Sequence, residues 1–149
     1  MSTKKIILQH ITNQLKTQLA SFQKDYQDLQ SALANETKSS AGDKYETGRE
    51  MINQEVNKVS DQINKQELFI QKLEKIDHSK KITHVTDTAL ISTSLGTFFI
   101  GIPLGIVQLA DQKVFFISVQ SPIYQAMRNL TAGDHFNWQS KKIDIHEIS

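Results

Sequence analysis

Two long rows of apolar residues, each keeping a helical step and separated by one short polar break, constrain this chain most. In the first row Leu8, Ile11, Leu15, Leu19, Phe22, Tyr26, Leu29 and Leu33 are spaced by steps of three and four. In the second, Ile52, Val56, Val59, Ile63, Gln66, Ile70 and Leu73 repeat the same rhythm. Such a row is a heptad seam, one apolar stripe on an otherwise polar helix, and it must be buried against a partner stripe. Between the rows lies Ser39-Ser40-Ala41-Gly42-Asp43-Lys44-Tyr45-Glu46-Thr47-Gly48-Arg49-Glu50, polar and glycine-containing. A short break of that kind favours antiparallel pairing within one chain, a helical hairpin with its apex near 39–50. A parallel dimeric coiled coil is the competing arrangement. The single polar residue in the second seam, Gln66, is of the type that fixes register at some cost in stability.

After Ile76 the period changes. Asp77-His78-Ser79-Lys80-Lys81 is polar and reads as a hinge. Short β-branched or aromatic runs follow at 82–85, 89–93, 97–102, 106–109, 114–119, 135–138 and 143–148, punctuated by Gly96, Pro103-Leu104-Gly105, Asp111-Gln112 and Gly133-Asp134. One helix fits among them, with Ser121 as cap, Pro122 at the first helical position and 123–130 following. The expected fold is therefore α+β: an N-terminal antiparallel coiled-coil hairpin (1–76), a hinge (77–81) and a C-terminal antiparallel β-sheet domain with one short helix (82–149). Phe98, Phe99, Phe115, Phe116, Phe136 and Trp138 are read as core and sheet-face packing.

Composition narrows the function. A formal net charge of +1 argues against gripping free nucleic acid by bulk electrostatics. The basic residues are nearly all lysine, with Arg49 and Arg128 the two arginines, so bidentate phosphate reading is not a theme. The absence of cysteine removes disulfide, thiolate-metal and cysteine-nucleophile chemistry. The most apolar run, 98–110, is broken by Gly101, Pro103 and Gly105 and falls short of the roughly 20 residues a spanning helix needs. The opening Ile-Ile-Leu is too short for a signal-peptide core. A cytoplasmic protein without membrane contact is expected. His10, His78, His84, His135 and His146 show no metal-ligand spacing and are read as ordinary surface or packing residues.

The apex carries two acids three positions apart, Asp43 and Glu46. One reading is a capping box, with Asp43 accepting the N–H near Glu46 and Glu46 reaching back. The other is a shared Mg²⁺ site, because that ion takes one or two protein carboxylates and fills its shell with waters and phosphate oxygens. The two are compatible, since a capping carboxylate keeps free lone pairs.

With both halves in view the chain resembles the bacterial Gre transcript-cleavage factors of RNA polymerase. Ile117-Ser118-Val119-Gln120-Ser121-Pro122, then Ala126-Met127, then Gly133-Asp134 is similar to that family's Ile-Ser-x-x-Ser-Pro, Ala-Leu and Gly-Asp pattern. Gly42-Asp43-Lys44-Tyr45-Glu46 aligns with its Gly-Asp-x-x-Glu tip, where only the two acids match well. The resemblance implies an FKBP-like C-terminal domain that docks on RNA polymerase, with Ser121, Pro122 and Ile123 in the polymerase-binding segment. It implies a monomer whose arm enters the secondary channel. Asp43 and Glu46 would there act as donated catalytic residues, holding Mg²⁺ shared with the polymerase and ordering the water that cleaves backtracked RNA. The factor alone would hold no cofactor, would not itself be an enzyme, and would meet nascent RNA only at its 3′ end inside the complex. The alternatives are a Gre-like regulator without cleavage activity, an FKBP-like prolyl isomerase, and a dimeric coiled-coil scaffold.

Overall fold

The computed structural model describes residues 2–38, 42–109 and 111–149, with side chains described throughout except at 36–38 and 42–45. The elements run α1 (Thr3–Lys38), α2 (Gly42–Glu74), β1 (Leu90–Thr93), β2 (Thr97–Ile100), β3 (Gly105–Leu109), β4 (Gln112–Ile117), α3 (Pro122–Met127), β5 (His135–Trp138) and β6 (Lys141–Ile148). The chain divides into two compact units, one formed by Ile11–Lys75 and the other by Met1–His10 with Ile76–Ser149.

The Ile11–Lys75 unit is a pair of helices from one chain. The seam residues fill its interior: Ile11, Leu15, Val59, Ile70 and Leu73 are buried, and Leu19, Phe22, Tyr26, Leu29, Leu33, Ile52, Val56 and Ile63 are half-buried. Gln66 sits in this interior, only 7% exposed. Its Nε2 donates to the Leu15 carbonyl at 3.1 Å and to Gln18 Oε1 at 2.9 Å. That bridge ties one residue of α2 to one turn of α1, so the polar seam position does fix register. Lys16 and Glu74 add an exposed ion pair at 2.8 Å, which contributes little.

Gln66→Leu is expected to leave stability within about 1 kcal/mol of wild type, because the lost hydrogen bonds and the gained apolar burial are of similar size. Neither acceptor is stranded: the Leu15 carbonyl can keep its helical N–H, and Gln18 lies on the exposed side. What should be lost is the single register, seen as a second oligomeric species in sedimentation. A urea-melt loss above about 2 kcal/mol with an unchanged mass would show that the bridge stabilises rather than specifies.

The second unit is built on a six-stranded sheet in the order β3-β4-β2-β1-β6-β5. The fold is α+β as expected, and one of its five strand pairings differs from the expected antiparallel sheet. The pairs are antiparallel except β2 with β4, which run parallel from Thr97 opposite Val114 to Ile100 opposite Ile117. The cause is the β3–β4 hairpin: β3 runs out along the edge and β4 returns between it and β2, so β4 arrives in the direction of β2.

The central strands β1 and β2 are buried on both faces, which explains the unbroken apolar run Phe98-Phe99-Ile100 in β2. On one face Ile91, Phe98, Ile100, Ile143 and Ile145 pack with Tyr124 and Met127 of α3. Phe115 stacks on Phe98 there, with ring centroids 5.0 Å apart. The register puts Leu90, Phe99, Val114 and Phe116 on the opposite face, all buried. The first turns of α1 belong to this unit, and Ile7 lines a small cavity on that face with Leu90, Ser92 and Thr97. Gly96, in the β1–β2 turn, has φ +147°, and a Cβ there would meet Phe115 Cε2 at 2.8 Å, so the turn needs glycine for both conformation and space.

Two further expectations change. The run 82–85 is not a strand of the sheet. It is extended chain bridged at His84 to Thr131, with Val85 exchanging hydrogen bonds with Leu130 and Asn129. Its partner is the loop after α3, too short to make a ladder. That loop also explains why α3 stops at Met127 instead of Leu130: Arg128 leaves the helical region and Asn129 takes φ +68°.

Candidate functional site

Glu46 lies in the second turn of α2 and is exposed to solvent. Asp43 is the second residue of that helix, and its side chain lies outside the described residues, as do residues 39–41 of the apex. Asp43 stands in the first described turn of that helix. The cap position lies outside the described residues, and so does the capping-box reading of Asp43. The acids are thus one helical turn apart, on the same side of α2. Among the described residues, no three His, Asp or Glu side chains are grouped closely enough to hold a metal ion.

The segment 117–127 is a cap-and-turn device. Ser121 is the N-cap of α3; its Oγ accepts from Tyr124 N at 3.4 Å and donates to the Ser118 carbonyl at 2.8 Å. Ser118 Oγ accepts from Gln120 N at 3.2 Å, and Gln125 Nε2 donates to the Val119 carbonyl at 2.8 Å. Pro122 takes the first helical position, where its missing N–H costs nothing. The three sequence-selected residues then divide. Ser121 is spent on the cap, Ile123 packs against the core around Phe98, and Pro122 is exposed. Val119, 37% exposed, and Gln120 present the rest of the free surface of this turn. Neither was singled out from sequence, although both lie inside the matched motif.

Gly133-Asp134 is a second structural device. Asp134 Oδ2 accepts from Thr131 N at 2.7 Å and Thr131 Oγ1 at 3.1 Å, and Gly133 has φ +91°. These hydrogen bonds, the backbone one first, hold the Asp134 carboxyl below its ordinary range. Ser79 does the same for Asp77, through its hydroxyl and then its backbone N–H. A depressed folded-state value means stabilisation that is complete above the unfolded carboxylate's range and lost as pH falls through the folded one. Stability should therefore be flat above about pH 5 and fall below about pH 4. Asp134→Asn is expected to reduce that acid slope, read from urea midpoints at both ends. A slope equal to wild type would show that the Thr131 hydrogen bonds do not favour the ionised form.

The five histidines are all exposed, and none is drawn into a cluster with acids among the described residues. No described helix is long and apolar enough to cross a membrane.

No protein-family model matches the chain, and no curated protein matches it. Among solved structures, the crystal structure of GreA factor homolog 1 (Gfh1) from Thermus thermophilus is similar at 16% identity, over 93% of this chain and 94% of that one, with a TM-score of 0.38. A second structure, of the transcription factor Gfh1, is similar at 17% identity over 92% of each chain, with a TM-score of 0.37. Overlaps this loose do not bear on what the chain does.

Proposed function

We propose that this chain is a Gre-like transcription elongation factor: it binds RNA polymerase through its sheet unit and places the apex of its helix pair in the secondary channel. The observation that supports this reading best is the helix pair itself. Its two stripes are satisfied within one chain, with register fixed by Gln66, so no second copy is needed to bury them. An exposed Glu46 one turn from Asp43 then stands close to the link between the helices. The turn 118–122 adds an exposed Val119-Gln120-Pro122 surface on the sheet unit as the docking segment.

In this proposal Asp43 and Glu46 contribute carboxylate oxygens to Mg²⁺ that the polymerase also ligates. A second ion held there would supply two-metal chemistry, in which one ion would favour hydroxide from bound water and the other would stabilise the leaving oxygen of the phosphodiester. The protein is then an accessory factor of another enzyme's active site. The sequence at the apex favours a second version, channel binding without cleavage, because Lys44 and Tyr45 stand where the family has leucine and serine. Co-purification with RNA polymerase followed by a transcript-cleavage assay on backtracked complexes tests both. Binding with Asp43- and Glu46-dependent cleavage supports the first, binding alone the second, and no binding overturns both.

A further inference from the structure

A cavity of about 310 Å³ lies within the sheet unit, between the start of α1, the 78–82 link and the end of β6. Its size is at the lower end of small-molecule pockets, roughly 300–1,000 Å³. Its polar wall is basic. Lys4, His78, Lys80 and Lys81 line it, in a chain whose formal net charge is only +1.

Lys4 is the unusual member. It is 93% buried, whereas lysine is almost never buried that far unless paired. Among the described residues its ammonium has no ion-pair or hydrogen-bond partner. Lys4 is one of the residues that line the cavity, and its unpartnered ammonium is not fully occluded. Burial alone holds its pKa below the ordinary lysine value, the mark of a cation lacking a counter-charge. Asp77, next to the lining residue His78, is engaged by Ser79.

The remaining lining is Ser2, Ser79, Ile82, Ile148 and Ser149. Ser2 Oγ accepts from Lys5 N at 3.2 Å, which leaves its O–H free to donate. The first turn of the 36-residue α1 supplies the positive end of a long helix. Ile82 and Ile148 give the pocket an apolar side. We infer that this cavity binds a pyrophosphate group, free or carried by a nucleotide, with Lys4 as the buried counter-ion and Lys80 and Lys81 at its mouth.

The test is a titration of the full chain at low salt with inorganic pyrophosphate, and separately with GDP, followed by ¹H–¹⁵N spectra. Amide shifts confined to residues 2–6, 78–82 and 148–149 are expected. Lys4→Met, which keeps the apolar stem, should weaken binding about tenfold or more, as loss of a charge-assisted hydrogen bond does. Lys80→Gln with Lys81→Gln, at exposed positions that leave the fold intact, should weaken it too, and decides the matter if Lys4→Met does not fold. Tighter binding of GDP assigns the site to a nucleotide whose base uses Ile82 and Ile148, and equal binding assigns it to the inorganic anion. Shifts scattered over surface lysines, none at millimolar ligand, or affinity unchanged in the folded variants would overturn the inference.

Discussion

Asp43→Asn combined with Glu46→Gln should lower polymerase-dependent transcript cleavage by roughly 100-fold or more, the scale lost when a group stabilising transition-state charge is removed. Both changes keep side-chain size and remove the charge, exchanging one acceptor oxygen for an amide N–H₂, so the helix pair should stay folded. Glu46 is exposed, and no seam residue is altered. Co-purification with the polymerase should therefore be unchanged, which separates chemistry from docking. Raising Mg²⁺ should restore part of the activity of either single variant, since a weaker site is refilled by mass action. If wild type and the double variant stimulate cleavage equally, the acids are not donated ligands. If neither stimulates while both bind, the channel-binding regulator is the correct version.

Phe99→Ala should cost about 3–5 kcal/mol, as truncation of a fully buried phenylalanine does. Phe99 has no exposed surface, and its ring lies 5.6 Å from that of Phe116 on the face opposite α3. Neighbouring β-strand backbone cannot collapse into the space, since Phe99 pairs with Leu90 on one side and Phe116 on the other. Total stabilities of domains are about 5–15 kcal/mol, so this one change removes a large share. Phe115→Ala, at a half-buried position next to the edge hairpin, should cost clearly less. Urea melts read by Trp138 fluorescence compare the two variants. Equal losses would mean that the face opposite α3 is not the tightly packed one.

The helix pair was legible because a heptad seam states its own partner: a stripe of that width needs another stripe, and the chain supplies one. Gln66 was legible for the same reason, as the single break in an apolar row. The sheet was legible as short runs but not as a topology. Nothing local to 97–100 or 112–117 says that a hairpin returns between its own first strand and β2, which is what makes that pair parallel. The β5–β6 turn was also silent. Gln139 and Ser140 both take positive φ, +49° and +65°, the geometry of a two-residue hairpin turn usually carried by Asn-Gly. With that signal missing, the sequence points to a strand from Ile143, yet pairing runs up to Trp138 opposite Lys141. At the apex the acids were visible as spacing. At the docking segment the motif was visible, but which residues it spends on its own cap was not, because that depends on Ser121 turning back to Ser118.

The sharing of one sheet unit between residues 1–10 and 76–149 has a consequence for how the chain matures. The segment that carries Ile7 is synthesised more than eighty residues before the first strand it meets and waits, as part of a forming helix, for that strand. Until β1, β2 and β4 are synthesised, Ile7 has no complete sheet face to meet. Ordering of this unit is therefore a late, long-range event in biogenesis, and the nascent protein is most exposed to chaperones and proteases in that interval.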